Sequence, residues 1–189
     1  MFAAIRFAAI LAVFGACVTP AFAAVPMWKI NPQKSRLSWM VYYDHETIKG
    51  DFINWDGDIH FDPDHLEQSH FTITIDLASV VSNSKKIEEA LLGPYFFNTA
   101  KFPKAVYKSG QIRATSQGYV AAGTLTLAGV SKRLALPFKV VINDNQEASA
   151  ESHFSLSRHA FNVGHGPADG ANIGDRVDIN FTLDAVRQN

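Results

Sequence analysis

Histidine is the residue type with the widest chemical range in this chain of 189 residues, because a neutral imidazole binds metals and titrates near neutral pH. The seven histidines are His45, His60, His65, His70, His153, His159 and His165. His60 and Asp62 place two donor side chains on one face of a strand, and His159 and His165 flank a turn that contains glycine. No HExxH or comparable metal-site spacing occurs. We therefore expect opportunistic binding of zinc or nickel at most, and no dedicated metal site.

Serine chemistry has an equally weak pattern. Ser131, Ser155 and Ser157 are available as nucleophiles, and His159 follows Ser157 by two positions. No Gly-x-Ser-x-Gly elbow surrounds any of these serines, and two residues on one strand face do not make a triad.

Acidic pairs and glycine-rich segments give no better catalytic pattern. Asp56 and Asp58, and Asp62 and Asp64, are typical of turns, where an Asp side chain bonds to its own backbone. Residues 166–172 contain no phosphate-loop lysine and no EF-hand spacing. We predict that the protein is not an enzyme and needs no cofactor.

The charge balance argues against a nucleic-acid partner. There are 17 Lys and Arg against 18 Asp and Glu, and the pI is about 6.6, so the chain lacks the basic field that attracts phosphates. Aromatic residues make up 12% of the chain, with 14 Phe. This is more apolar aromatic surface than a small domain needs to close its core, so we infer a second use for part of it.

Residues 1–23 have the pattern of a secretory signal peptide. Arg6 supplies a positive charge, residues 8–18 form a short apolar run, and Ala21-Phe22-Ala23 is a cleavage site of small residues. We predict cleavage before Ala24 and export of the mature chain.

The alternative is a lipoprotein signal that makes Cys17 a lipidated N-terminus, because Gly15-Ala16-Cys17 has the small residues of such a signal, although Phe14 stands where leucine is usual. Cys17 is the only cysteine, so cleavage before Ala24 leaves a single domain of residues 24–189 without thiol chemistry or disulfides.

Apolar and polar residues alternate along much of the remaining chain, which predicts β-strands. The alternation is clearest over residues 71–77 and 177–185. Similar runs cover residues 36–43, 48–52, 58–61, 105–113, 119–127, 133–142 and 148–156. We predict an all-β protein whose strands close into an antiparallel barrel, because closure removes exposed edges. A β-sandwich and an outer-membrane barrel are the alternatives.

One helix is predicted, over residues 83–92. Asn83 or Ser84 can cap it, and Gly93-Pro94 stops it. Its lysines at 85 and 86 are expected to pair with the glutamates at 88 and 89 on the solvent side.

Four segments, taken in order, resemble the YceI-like family. They are residues 28–62 (Trp28, Ser35 and Trp39, then Gly50-x-Phe52 and Gly57-x-Ile59-x-Phe61-Asp62), 95–105 (Tyr95-Phe96-Phe97, then Phe102-Pro103-x-Ala105), 123–138 (GTLTLAGVSKRLALPF) and 157–164 (Ser157-Arg158-x-x-Phe161-Asn162-Val163-Gly164). The similarity runs from about Trp28 to Ala185.

The resemblance implies a lipocalin-like antiparallel β-barrel of about eight strands with the short helix, exported to the periplasm in many members. It also implies an elongated apolar cavity that binds polyisoprenoid chains or similar lipids such as isoprenoid quinones. The chain departs from the family at Tyr42, where many members have His, at Asp44 and Glu46 nearby, and at Asn162, where the family has Gly. These departures concern the ligand's head group more than the fold.

Aromatic residues on the inward strand faces are the candidates for lining such a cavity. They are Trp39, Phe52, Phe61, Phe71, Phe138, Phe154 and Phe181; Tyr95, Phe96, Phe97 and Phe102 are candidates for lining or plugging its mouth, and Phe161, which follows Arg158, is a further candidate for ligand contact. A packed barrel interior is the alternative explanation for any one of them. About 20 buried carbons at about 0.8 kcal/mol each contribute roughly 15 kcal/mol before the costs of association.

Arg158 is the first candidate for a donor to the polar head of such a ligand. The alternative is a structural arginine paired with Asp175 or Asp178. The lysines at 101, 104 and 132 are expected to be solvated.

The sequence therefore predicts a periplasmic lipid-binding protein that holds a polyisoprenoid or isoprenoid quinone, as a carrier or in an envelope-stress or electron-transfer system. A small periplasmic enzyme or metal-binding protein that uses surface histidines is the alternative. A long-chain lipid is the predicted partner, and transient contact with a membrane or a membrane cytochrome and a homodimer are further hypotheses.

Overall fold

The computed structural model describes residues 25–44, 46–143, 146–166 and 172–188. The predicted signal peptide, with Cys17, lies outside the described residues, and so does His45.

The described chain forms one antiparallel sheet with a single α-helix. The strands are β1 (Met27–Ile30), β2 (Arg36–Tyr43), β3 (Glu46–Phe52), β4 (Trp55–His60), β5 (His70–Asp76), β6 (Val80–Ser82), β7 (Lys104–Thr115), β8 (Gly118–Leu127), β9 (Val130–Asn143), β10 (Glu147–Ser157) and β11 (Ile173–Gln188). Helix α1 covers Lys85–Leu92, and 3₁₀ turns cover Leu77–Ser79 and His159–Phe161. In the described part of the chain, no helix is long and apolar enough to cross a membrane.

The long strand β11 closes the sheet into a barrel. One edge of β11 pairs with β10, while its other edge pairs first with β2 and then, at its C-terminal end, with β1. Six short strands share three positions of the barrel wall, two strands end to end in each position. They are β1 and β2 beside β11, then β4 and β3, then β5 and β6. The wall therefore has eight strand positions, which confirms the predicted barrel of about eight strands. The sandwich alternative is wrong.

Alternation of side chains separates the inside of the barrel from its surface. Along β9, Leu134, Leu136 and Phe138 point inward and are half-buried, while Ala135 and Pro137 between them are exposed. The buried apolar residues form two clusters, one centred on Trp39 and Leu77 and one on Trp28 and Ala121. Below, the end of the barrel that carries Met27 and Gln188 is called the lower end, and the end that carries Tyr43 and Ser157 is called the upper end.

Helix α1 lies where the barrel wall lacks strand pairing. Among the described strands β6 pairs with β3 alone, and the chain then leaves the wall through α1 before it returns as β7. The helix begins after Ser84 and ends at Gly93, within two residues of the predicted start. Its predicted ion pair forms, with Lys85 Nζ 2.6 Å from Glu88 Oε2.

The placement of Glu88 on the solvent side of α1 was wrong. Glu88 is buried, and its Oε1 accepts a hydrogen bond of 2.8 Å from the backbone N–H of Ser82 at the end of β6. A backbone donor on the unpaired edge of a strand needs an acceptor, so the carboxylate turns inward. Glu88 therefore fastens α1 to the barrel wall.

Substitution of Glu88 is expected to change the pH dependence of stability. The ammonium of Lys85, followed by the N–H of Ser82, lowers the pKa of Glu88 below its ordinary value of 4.5. A lowered folded-state pKa stabilises the fold above the unfolded-state value, and this stabilisation is lost as the pH falls through the folded-state pKa. We expect Glu88→Gln to lower the free energy of unfolding at neutral pH and to differ less from the parent in acid, as measured by urea denaturation.

Glu89→Gln is the matched control, because Glu89 is exposed on the same helix. A gap between the Glu88→Gln variant and the parent that stays constant across the acid range would contradict the assigned role of the carboxylate.

Candidate functional site

The inward faces of the strands enclose an apolar cavity. It extends from Trp28 and Ala185 near the lower end to Phe96 and Ile173 near the upper end. The centre of a water molecule can occupy about 250 Å³ of it, and apolar side chains form the surface of its wall. A concave apolar site of this kind favours an apolar ligand.

Most of the residues predicted to contact a ligand line this cavity. They are Trp39, Phe52, Phe61, Phe71, Phe96, Phe97, Phe138, Phe154, Arg158, Phe161 and Phe181. Whether they bind a ligand stays a prediction. The strand residues that the alternation predicted to point into the barrel therefore do point into it.

Tyr95 and Phe102 do not line the cavity. The carbonyl of Tyr95 accepts hydrogen bonds from the N–H groups of Gly164 and His165, and its side chain remains 46% exposed. Phe102 packs against Gly129, where a positive φ of 79° turns the chain between β8 and β9. Loop contacts that alternation cannot detect hold both rings outside.

The lower part of the cavity is bounded by a cluster of aromatic rings. Phe138 contacts Phe61 and Phe71 edge-on at centroid distances of 5.8 Å, and it stacks on Tyr119 at 5.4 Å. Trp28 Nε1 donates a hydrogen bond of 2.9 Å to the carbonyl of Phe61 and fixes the cluster to β1. For these rings, core packing and cavity lining are the same role.

Trp39 depends on a glycine on the neighbouring strand. Gly50 lies directly opposite it on β3, and a Cβ at Gly50 would overlap both the indole ring and the carbonyl of Val81. Trp39 is only 7% exposed, and its Nε1 has no hydrogen-bond partner among the described residues. A buried donor without a partner costs about 1–3 kcal/mol of stability. The packing of the indole ring over Gly50 must offset this cost.

Tyr107 is a polar residue of the cavity wall that the sequence did not reveal. Its ring covers Gly123, and its hydroxyl lies 2.9 Å from the carbonyl of Ala121 and 3.2 Å from that of Leu134. Burial raises the pKa of the Tyr107 hydroxyl to about 12, so it is a neutral donor at physiological pH. A glycine at an inward strand position was the available sequence signal, because it leaves room for a large ring.

Arg158 reaches the cavity wall at the upper end, but its partners differ from those predicted. The guanidinium is buried, with 6% exposure of the residue. It donates to four backbone carbonyls, those of Val163, Gly164, Ile173 and Gly174. Because a guanidinium has five N–H donors, one is left without a partner among the described residues.

The predicted ion pairs of Arg158 do not form in the described chain. Asp175 accepts hydrogen bonds from Ser157 Oγ and the N–H of His159, and Asp178 accepts from Ser155 and Arg176. Backbone carbonyls carry no side-chain signature in a sequence, which explains why this network was missed. Head-group binding by Arg158 stays a prediction.

Ser157, His159 and Asp175 come together, but not as a catalytic triad. Ser157 Oγ donates to Asp175 Oδ1 at 2.8 Å, and His159 Nδ1 lies 3.1 Å from the same oxygen. In a triad the imidazole stands between the serine and the acid. The N–H of His159 and its side chain hold the pKa of Asp175 below its ordinary value, so this carboxylate stabilises a turn.

The described histidines do not form a metal site. His60 stacks on His70 at 4.7 Å and lies 3.2 Å from Asp58. Asp62 pairs with His65 instead, because β4 ends at His60 and the chain turns. Within the described residues no group of three or more His, Cys, Asp or Glu can hold an ion. The lysines at 101, 104 and 132 are exposed, as predicted.

Comparison with known proteins gives one family and one fold. The model of the YceI-like domain matches residues 28–185. A UPF0312 protein of Yersinia pestis (strain Pestoides F) is 30% identical over 63% of this chain and 65% of its own length, so the chain spans just under two thirds of that relative. A UPF0312 protein of Yersinia enterocolitica is 28% identical over 76% of each chain.

Solved structures share the barrel. The crystal structure of BcnA from Burkholderia cenocepacia has a TM-score of 0.77 and 27% identity, covering 82% of this chain and 98% of that one. A polyisoprenoid binding domain from Saccharophagus degradans, implicated in plant cell wall breakdown, has a TM-score of 0.68 and 16% identity, covering 88% and 100%. At that identity the likeness shows the fold alone.

The contact between Trp39 and Gly50 leads to a prediction. Gly50→Ala should lower the free energy of unfolding by about 2 kcal/mol or more, because the added methyl group must displace a ring or a strand backbone. Gly174→Ala is the control, since a Cβ there meets its nearest atom, the carbonyl oxygen of Tyr42, at 3.3 Å. Chemical denaturation of both variants measures the difference. Equal losses would show that Trp39 does not need the space above Gly50.

Proposed function

Since this chain belongs to the YceI-like domain family, we propose that it is a periplasmic lipid-binding protein that holds a polyisoprenoid or an isoprenoid-quinone-like molecule in its barrel. The observation that carries the proposal is the continuous apolar cavity, lined from Trp28 to Ile173. A packed core would leave no such space, because protein interiors are close-packed.

The length and chemistry of the cavity favour a chain over a compact ligand. Its wall combines aliphatic side chains such as Leu125 and Leu183 with aromatic rings, and polar groups are few. Each buried methylene contributes about 0.8 kcal/mol, so a chain of about 20 carbons gains roughly 15 kcal/mol before association and ordering costs of several kcal/mol. The Saccharophagus degradans domain, which shares this barrel, is a polyisoprenoid binding domain, and this supports the same ligand class.

The upper end of the barrel is the proposed location of the ligand's polar head. Arg158 lines the cavity there, and its charge is held by carbonyl oxygens rather than by a carboxylate among the described residues. An oxygen of a phosphate, phenol or quinone suits the N–H that remains. In this orientation the tail extends towards Trp28 and the ring cluster of the lower end.

Binding without catalysis is the role we propose. Ser157 Oγ and His159 Nδ1 both contact the same oxygen of Asp175, so the imidazole does not stand between the serine and the acid. A carrier in an envelope-stress or electron-transfer system, in contact with a membrane or a membrane cytochrome, is consistent with export through the predicted signal peptide.

Native mass spectrometry of the protein purified from periplasm tests the ligand class. We expect a stoichiometric adduct that organic extraction removes and that is identified as an isoprenoid lipid. A bare protein mass, together with no uptake of added undecaprenol or ubiquinone, would overturn the proposal.

Two neighbouring valines on β9 provide a matched pair of variants. Val140 lines the cavity, whereas Val141 is 60% exposed on the outer surface. We expect Val140→Asp to abolish lipid uptake, because a buried carboxylate is costly in an apolar wall, and Val141→Asp to retain it. Near-UV circular dichroism checks that both fold.

A third variant applies if Val140→Asp does not fold. Ala150 also lines the cavity, and Ala150→Phe fills space without adding charge, so it should weaken binding by about tenfold or more. Lipid retained at parental affinity by folded Val140→Asp or Ala150→Phe would mean that the ligand lies elsewhere.

A further inference from the structure

We propose that the apolar chain of the ligand enters and leaves through the side of the barrel, between β9 and β10. The opening, here called the seam, lies between residues 131–137 of β9 and residues 152–157 of β10. The proposal rests on the proposed function, because it assigns a route to the ligand of that cavity.

The pairing of β9 with β10 stops halfway up the barrel. It runs from Asn143 opposite Glu147 to Lys139 opposite Glu151 and goes no further. Both strands continue in the sheet above that point, β9 paired with β8 as far as Val130 and β10 paired with β11 as far as Ser157. In this described part of the two strands, the pairing of β9 with β10 is the one that is missing.

Pro137 explains why the pairing stops there. Continuation of the register places Pro137 opposite His153, but proline has no N–H to donate to the next strand. Its carbonyl instead accepts a hydrogen bond of 2.6 Å from the side chain of Ser152. The amino-acid sequence itself therefore ends the ladder, and the Ser152 to Pro137 bond forms the lower border of the seam.

The inner side chains along the seam are those of the cavity. Leu134 and Leu136 on β9 and Phe154 and Leu156 on β10 line the cavity, and each is only half-buried. Glu151, on the outer face of β10, also borders the cavity. The cavity therefore lies directly behind the seam, and Glu151 borders it at the last pair of the β9–β10 ladder.

Lys132 lies at the upper end of the seam. It lies directly opposite Leu125 on β8, which is buried on the inner face. Residues opposite each other on paired strands share a face, so Lys132 occupies an inward position and is nevertheless exposed. Lys132 is two residues from the start of β9, at the upper end of the barrel beside the seam, and its side chain reaches solvent there.

The upper border of the seam is the 3₁₀ turn His159–Phe161. This turn packs against both β9 and β10, and its last residue, Phe161, is buried. Between the turn and Pro137 the seam is about 20 Å long, at about 3.3 Å per residue. A flexible chain that moves sideways through this slot stays in contact with apolar side chains along its length, whereas end-on passage exposes it to water first.

The exposed edge of β9 is not suited to the addition of another strand. Its residues include Lys132 and Arg133, followed by Pro137, and charged residues and proline at an edge oppose strand pairing. The seam is therefore a route for a small chain rather than a docking site for a peptide.

A disulfide across the seam tests the route. Continuation of the register places Ala135 opposite Ser155, and the only cysteine of the natural chain is Cys17, in the predicted signal peptide. The control pair is Ala122→Cys with Ala135→Cys, because Ala122 and Ala135 are already paired between β8 and β9. The control variant shares the cysteine at position 135 with the test variant, but its disulfide links two strands that are already paired and leaves the seam open.

The measurement is the rate at which ubiquinone moves from the loaded protein to phosphatidylcholine vesicles, followed by the recovery of tryptophan fluorescence. We expect the oxidised Ala135→Cys/Ser155→Cys variant to transfer ubiquinone more slowly by about tenfold or more, as for other gated steps. Dithiothreitol should restore the rate, and the oxidised control should match the parent.

Pro137→Val is a second variant that needs no cross-link. It supplies the missing N–H and should extend the ladder, so we expect transfer to slow by about twofold to fivefold. Unchanged rates in both variants would overturn the seam as the route. Failure of the parent to take up ubiquinone or undecaprenol would instead overturn the proposed function and the seam with it.

Discussion

The pairing of β11 on both of its edges is the constraint on which the rest of the structure depends. Its C-terminal end bonds to β1 and its N-terminal part to β2, so the first strands of the chain meet the last and the sheet has no free end there. Side chains on a strand alternate strictly between two faces, and a slip of one residue would exchange the faces. The register of β11 therefore decides that Val177, Ile179 and Phe181 line the cavity while Asp178 and Asn180 face outward.

A closed barrel would still collapse onto its interior if its large side chains were free to move inward. Trp39 is held over Gly50 and Tyr107 over Gly123, each by the absence of a Cβ on the neighbouring strand. The hydroxyl of Tyr107 is also tied to strand carbonyls. Because Nε1 of Trp39 has no hydrogen-bond partner in the described part of the chain, the position of this ring is set by packing rather than by hydrogen bonding. Rings anchored against the wall leave the axis of the barrel empty.

The sequence predicted the regular parts of this arrangement and missed the contacts between segments. The alternation over residues 177–185 lies within β11, and the helix was placed within two residues of its observed start. Periodicity reports which face a residue occupies, but it does not report the partner strand. It therefore missed the burial of Glu88 against β6 and the carbonyl partners of Arg158. The positions of Tyr95 and Phe102 were missed for a related reason, because loops have no period.

An apolar cavity that binds a long chain tightly has a kinetic problem. A gross gain of roughly 15 kcal/mol for about 20 carbons implies slow release if the whole chain must leave in one step. A lateral opening changes this, because carbons can leave one after another while the rest of the chain remains bound, and the barrier then reflects a few carbons at a time. Pro137 and Ser152 supply such an opening at the cost of one stretch of strand pairing. The closure by β11 holds the two ends of the sheet together and α1 lies at the other break in strand pairing, so the barrel combines a stable cavity with a side that can release its ligand.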